Sequence, residues 1–105
     1  MIVVVFEVVP KPGRAADYLA LAGELRAELE TIDGFVSVER FESLTTKGKF
    51  VSISTWRDEG AVKVWRERAR HREAQEVGKA EIFADYRIRV AHVLRDYTMP
   101  GAPAR

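Results

Sequence analysis

Hydrophobic and polar residues alternate along four stretches of the chain, and in two others the hydrophobic residues recur at spacings of three and four. Alternation is typical of a β-strand, and the wider spacing is typical of an amphipathic helix. In chain order, the pattern predicts a strand at 2–9, a helix from 14 to about 31, strands at 35–43 and 49–56, a helix that begins at Asp58, a further helical stretch at about 70–77, and a long strand at 81–97. The predicted order is therefore βαββαβ.

Turn and capping signals separate these elements. A segment with two prolines and a glycine at 10–13 ends the first strand, Asp33-Gly34 ends the first helix, and residues 44–48 suit a hairpin. Asp58 is placed to cap the second helix, because its carboxylate can accept hydrogen bonds from the first free backbone amides. The apolar stripe of that helix consists of Ala61, Val62, Trp65 and Ala69.

This order of elements predicts a fold of the α+β class. It matches the ferredoxin-like βαββαβ arrangement, in which right-handed crossovers place both helices on one face of a four-stranded antiparallel sheet. The predicted domain spans residues 1–97. A flexible C-terminal tail follows at 98–105, where proline and glycine are frequent.

The sheet face opposite the helices is also predicted to be apolar. Val3, Val5 and Val9 point to that face from the first strand, and Ala91 and Val93 add to it from the last strand. An exposed apolar patch of this extent exceeds what a monomer usually shows. A second copy packed face to face about a two-fold axis would cover it. We therefore expect a homodimer joined through the open sheet face.

Composition narrows the class of protein further. The 105 residues include 17 basic and 16 acidic side chains, for a formal charge of +1, and the two signs are mixed along the chain. A nucleic-acid partner is therefore not expected. No stretch approaches the ~18 apolar residues of a membrane span, so no membrane partner is expected. The chain has no cysteine, which excludes disulfides and thiolate metal sites and fits a cytoplasmic location.

Several segments carry a resemblance to a known family. They are Asp33-Gly34-Phe35, the run from Ser52 to Glu59, Trp65, the run from His71 to Gln75, and the run from Phe83 to Tyr86. Over residues 1 to about 97, the chain resembles the antibiotic biosynthesis monooxygenase superfamily. The resemblance implies a dimeric α+β barrel with a pocket in each subunit between the sheet and the two helices. Members include oxygenases that act on polyketide phenols or quinols with neither metal nor flavin, haem-degrading enzymes, and proteins of unknown role.

The resemblance also implies candidate site residues. In the cofactor-independent branch, a tryptophan at the end of the third strand matches Trp56. In the haem-degrading branch, a tryptophan of the second helix matches Trp65 or Trp56. The asparagine of that branch falls on Glu7, and its axial histidine falls near Gln75, four residues beyond His71. Neither Glu7 nor Gln75 offers an imidazole to haem iron. Both tryptophans present flat apolar walls to a ligand, although packing between helix and sheet explains them as well.

A reaction without a cofactor needs a dry pocket and a group that takes a proton from the substrate, so that the electron-rich anion can reduce O₂. His71 and His92 are the candidates, because the pKa of an imidazole lies nearest neutrality. His71 is expected just past the second helix, where an exposed helix-end residue is the alternative. His92 is expected on the apolar face of the last strand, where a hydrogen-bonded core residue is the alternative.

Three further side chains are candidates for the pocket. Glu7 shares a strand face with valines, so it has either a raised pKa and a role as general base, or a salt bridge to Arg40 or Arg87. Tyr86 either binds a phenolate oxygen or packs in the core. Tyr18 of the first helix either lines the pocket or helps to fill it.

Three functions are compatible with this sequence. The first is a cofactor-independent monooxygenase that acts on a small aromatic phenol, quinol or polyketide-like substrate. Its predicted catalytic residues are His71, Trp56 and Trp65, and its predicted substrate-binding residues are Tyr86, His92, Tyr18 and Glu7. The second is a haem-binding or haem-degrading protein, and the third is a non-catalytic dimeric protein that binds a small molecule. The sequence contains no glycine-rich phosphate loop, nucleophile elbow or paired histidines at metal-ligand spacing, so phosphoryl transfer, triad hydrolysis and a bound metal are not expected.

Overall fold

Six regular elements form in the order that the hydrophobic pattern predicts. A computed structural model describes the backbone of residues 1–75 and 82–103, and the side chains of these residues except 70–75. The elements are β1 Ile2–Pro10, α1 Ala15–Leu29, β2 Phe35–Glu42, β3 Phe50–Trp56, α2 Glu59–Gln75 and β4 Phe83–His92. No helix among the described residues is long and apolar enough to span a membrane.

The four strands form one antiparallel sheet in the order β2-β3-β1-β4. β1 lies between two neighbours, and its Ile2 faces Trp56 of β3 and His92 of β4. The near-continuous β-branched sequence of β1 suits a strand paired on both sides. The edge strands β2 and β4 carry charged residues instead, as exposed edges usually do. The predicted α+β, ferredoxin-like topology is confirmed.

β2 departs from simple alternation at its start. Its register with β3 shifts between Phe35 and Ser37, which leaves Val36 as an extra residue. Alternation predicts that Phe35 and Ser37 share a face, and this prediction is wrong. The bulge turns Phe35 to the helix side, where its ring lies 5.3 Å from that of Trp56.

α2 begins as predicted but is longer than predicted. Asp58 Oδ1 accepts a hydrogen bond from the backbone N–H of Ala61 at 2.9 Å, which caps the helix. The helix then continues without interruption to Gln75, because no proline or glycine intervenes after Ala61. The predicted separation into a helix and a later helical stretch is therefore wrong. His71 lies within α2 and not beyond its end.

β4 is shorter than the alternation of its sequence predicts. Its ladder with β1 ends at His92, and only the N–H of Val93 reaches further, to the carbonyl of Met1 at 3.1 Å. Residues 93–103 form neither a helix nor a strand within the described part of the chain. Glu81, the predicted first residue of this strand, lies outside the described residues.

The core lies between the sheet and the two helices. One cluster consists of Ile2, Leu29, Ile32, Val38, Trp56, Ala61 and Val62. A second cluster consists of Val8, Tyr18, Ala22 and Ile82. Both clusters use the face of β1 that carries Ile2 and Val8, whereas Val3 and Val5 on the opposite face belong to neither. The opposite face of the sheet is therefore open. It carries Val3 and Val5 as predicted, together with the charged residues Glu7, Arg87 and Arg89.

Candidate functional site

An open cleft of about 500 Å³ lies between α2 and β4. It forms because β4 is an edge strand whose helix-side residues are left exposed. Tyr86, Ile88 and Val90 in that row expose 59%, 55% and 47% of their surface. The residues that line the cleft are Glu59, Val62, Lys63, Arg66, Glu67 and Val90. A cleft of this volume is within the range of small-molecule sites in proteins.

His92 and Glu59 form an acid–base pair beside this cleft. The imidazole Nε2 of His92 lies 3.6 Å from the carboxylate Oε1 of Glu59, and the two side chains are 69% and 73% exposed. The pair forms because α2 begins beside the residue at which β4 ends. The alternative that His92 is a hydrogen-bonded core residue is therefore wrong. The imidazole and the carboxylate therefore meet where Glu59 joins the lining of the cleft.

The two tryptophans have different surroundings. Trp56 is fully buried, and its indole Nε1–H donates a hydrogen bond to Ser54 Oγ at 2.9 Å. Its predicted role as a pocket wall is not supported by this position, because neither its ring nor its donor faces the cleft. Trp65 is half-buried and packs against the same core cluster, next to Arg66 of the cleft lining. Neither tryptophan is among the residues that line the cleft.

The two candidate tyrosines also separate into core and surface. Tyr18 is buried, with its ring 5.5 Å from that of Phe50 and 5.9 Å from that of Phe83. Burial raises the pKa of the Tyr18 phenol, and the nearby Arg40 guanidinium partly opposes that shift. Tyr18 therefore fills the core between α1 and the sheet. Tyr86, for which a core position is one alternative, is instead exposed on the row of β4 that borders the cleft.

Glu7 lies on the open face of the sheet, on the side opposite the cleft. Its carboxylate is 3.2 Å from Lys49 Nζ and 3.4 Å from a guanidinium nitrogen of Arg89. The hydrogen bond from Lys49, with the charges of both cations, holds the pKa of Glu7 below its usual value. The hypothesis of a raised pKa and a general base is therefore wrong. The ion-pair alternative is correct, but the partners are not Arg40, whose guanidinium donates to the Ala22 carbonyl on the helix side, or Arg87.

Two of the residues at the haem-site positions, Glu7 and Trp65, lie on opposite sides of the sheet. Glu7 projects from the face opposite α2, and Trp65 packs against the core on the helix side. His71 and Gln75 belong to α2, but their side chains lie outside the described part of the chain. Glu7 and Trp65 therefore do not face a common haem site within this subunit. Among them, no three histidine, aspartate or glutamate side chains lie close enough together to hold a metal ion.

Sequence reasoning missed the four charged residues of the cleft lining, namely Glu59, Lys63, Arg66 and Glu67. The charges of this helix indicate a solvated face when they are considered alone. The available signal was their spacing of four and three, which places them on one helix face beside Val62 of the core stripe. That face becomes a cleft wall only because the neighbouring β4 is uncovered, which the sequence of α2 does not reveal.

Comparison with known proteins agrees with the fold and the resemblance. The model of the antibiotic biosynthesis monooxygenase family matches residues 1–77. The chain belongs to this family. A curated relative, Jasmonate monooxygenase ABM of Pyricularia oryzae, is 43% identical over 93 residues, which cover 89% of this chain and 43% of the relative. The chain thus spans less than half the length of that monooxygenase-named relative.

Solved structures of more distant proteins share the same fold as this family member. A Deinococcus radiodurans structure, named for the same family, superposes with a TM-score of 0.79 at 18% identity and covers 96% of this chain and 100% of its own. A Mycobacterium tuberculosis structure superposes with a TM-score of 0.77 at 19% identity and covers 92% and 98%. At these identities the likeness establishes the fold alone.

Proposed function

We propose that this chain is a cofactor-independent monooxygenase that acts on a small aromatic substrate, a phenol or a quinol. The observation that most supports this proposal is the His92–Glu59 pair beside the cleft between α2 and β4. Membership of the antibiotic biosynthesis monooxygenase family and the name of the curated relative support the class of reaction. The aromatic character of the substrate is supported by the exposed ring of Tyr86 and the exposed aliphatic side chains of Ile88 and Val90 on β4.

His92 is the proposed proton acceptor. It takes the acidic proton of the substrate, and the Glu59 carboxylate stabilises the imidazolium that forms. The resulting anion passes an electron to O₂, and the radical pair recombines at carbon. The keto tautomer of a phenol carries a CH₂ group in its ring. Conversion of this CH₂ to C=O removes two hydrogens and four electrons, one oxygen atom of O₂ becomes the carbonyl oxygen, and the other leaves as water. The substrate supplies all four electrons, so this reaction needs no external reductant.

The test is incorporation of label from ¹⁸O₂, measured by mass spectrometry over a panel of anthrones, naphthols and naphthalene quinols with and without a carboxylate. We expect one labelled atom in the product of at least one compound. His92→Gln should lower kcat/KM by about a hundredfold or more, and Lys47→Ala in the exposed hairpin loop should leave it unchanged. His71→Ala tests the role of the other histidine. A panel without any incorporation, or full activity in His92→Gln, contradicts the proposal.

We also infer that a second copy of the chain covers the open sheet face. Phe41 and Ile53 are 45% and 37% exposed in the single chain. Val3 and Val5 lie between them and β4 on the same face. A two-fold axis through this face would bury the apolar side chains of both copies against each other.

A further inference from the structure

Two cations on α2 line the cleft and have no partner among the described residues. Lys63 and Arg66 are three residues apart and therefore lie on the same face of the helix. Within the described part of the chain, neither side chain makes an ion pair or a hydrogen bond. Arg57, by contrast, is held by Asp33 and Asp58. An unpaired lysine and arginine beside a cleft are available to an anionic group of a ligand.

The acidic residues of the lining do not cancel this charge during the reaction. Glu59 faces His92, and the pair is neutral once His92 has taken a proton. The other charged lining residues are Lys63, Arg66 and Glu67, so two positive charges and one negative charge leave a net charge of +1 on the α2 wall. Before proton transfer the four charges of this wall sum to zero, so the preference for an anion in the resting site comes from the two adjacent cations, Lys63 and Arg66. The preference increases once His92 is protonated.

The opposite wall of the cleft is apolar and partly aromatic. Val90 lines the cleft, and Ile88 and Tyr86 continue the same exposed row of β4. Tyr86 belongs to a ring cluster, with centroids 5.9 Å from Phe6 and 6.4 Å from Phe83. Such a surface suits the flat or cyclic body of a small molecule.

We propose that the ligand of this cleft is a small cyclic carboxylate, whose carboxylate group binds Lys63 and Arg66 and whose ring packs on Val90 and Ile88. This proposal rests on the proposed function, because it specifies the substrate class of the same site. In this arrangement the carboxylate of the ligand binds α2, and a different group of the ligand gives its proton to His92. The curated relative has a name that denotes a carboxylate substrate, which agrees with an anionic anchor.

The experiment compares an acid with its neutral ester, with binding measured by calorimetry and without turnover. The probes are 1-hydroxy-2-naphthoate and its methyl ester, with jasmonate and methyl jasmonate as a non-aromatic pair. We expect each acid to bind about tenfold more tightly than its ester, which corresponds to one charge-assisted contact, and we expect added salt to reduce the difference. The preference should vanish in a Lys63→Met, Arg66→Met double variant and persist in the control Lys47→Met.

Two further variants sharpen the test. Glu67→Gln removes a negative charge that repels the carboxylate of the acid, so it should strengthen binding of the acid but not of the ester. Arg66→Lys keeps a positive charge and should retain part of the preference for the acid. Equal binding of acid and ester, or a preference that survives in a folded double variant, overturns the proposal. Acid-selective binding without incorporation of ¹⁸O would leave the anion site standing and refute the oxygenase. Oxygenation of acid and ester at equal kcat/KM would refute the anion site and leave the oxygenase standing.

Discussion

At the scale of single residues, Gly34 is the position at which the chain just before β2 approaches the first turn of α2. Its φ of +93° is in the left-handed region, and a Cβ placed there would lie 2.8 Å from the Cβ of Ala61 on α2. Its carbonyl accepts a hydrogen bond from the backbone N–H of Arg57 at 2.7 Å. Glycine is therefore required both by conformation and by the close approach of α2.

We predict that Gly34→Ala lowers the free energy of unfolding by about 2–4 kcal/mol, as the sum of left-handed backbone strain and overlap with Ala61. Gly48→Ala is the matched control, because its φ of +80° is similar and no atom lies within 4 Å of its added Cβ. That control should lose only about 1–2 kcal/mol. Urea denaturation measures both, and equal losses would show that the contact with Ala61 contributes nothing.

Residue type alone could not assign the candidate site residues. Trp56, Tyr18 and Tyr86 each combine an apolar ring with a polar group, so the sequence allows either a pocket wall or a core position for each. Trp56 and Tyr18 are buried and Tyr86 is exposed, because α1 and α2 cover β3, β1 and the start of β4 but leave β4 exposed from Tyr86 onward. The same uncovered edge places His92 beside Glu59, a contact between positions 33 residues apart that no local pattern indicates.

At the scale of elements, the first turn of α2 depends on a charged cap. The backbone N–H of Ala61, and then the Arg57 guanidinium, hold the pKa of the Asp58 carboxyl below its usual value. A carboxyl group whose pKa is lower in the folded chain stabilises the fold above its unfolded pKa, and this contribution is lost as the pH falls through the folded pKa.

Asp58→Asn keeps a cap acceptor but removes the titration. We expect the wild type to be more stable than this variant at neutral pH, and we expect the difference in urea midpoint to shrink in acid, below the usual range of carboxyl pKa values. The comparison between the two proteins cancels the other carboxyl groups. A difference that stays constant from neutral pH into acid would show that the charge of Asp58 does not act on α2.

The elements themselves were largely predictable from the sequence, because local patterns determine them. β1, α1, β3 and the cap of α2 follow from alternation, helical spacing and the position of Asp58. The bulge at Val36 and the end of β4 at His92 did not follow, because both depend on pairing with another strand. Alternation in one strand predicts which residues share a face only while the register with its neighbour is regular.

At the scale of the whole molecule, the open sheet face is the test of the dimer. Val5→Arg places a charge at the centre of that face, and burial against a second copy would then be strongly unfavourable. We expect an aggregated or unfolded chain, measured by sedimentation and circular dichroism. Val64→Arg on α2, where the valine is 41% exposed and outside the cleft lining, is the control and should remain folded. A wild-type chain that sediments as a monomer, or a Val5→Arg variant that keeps the wild-type dimer, would contradict the proposal.

The most direct test of the central claim, that the cleft between α2 and β4 is the substrate site, is a titration of ¹⁵N-labelled protein with 1-hydroxy-2-naphthoate followed by amide chemical shifts. We predict saturable changes in the first half of α2, from Glu59 to Glu67, and along β4 from Tyr86 to His92. Changes that concentrate instead at Val3, Val5 and their neighbours on the open sheet face, or that never saturate, would contradict it.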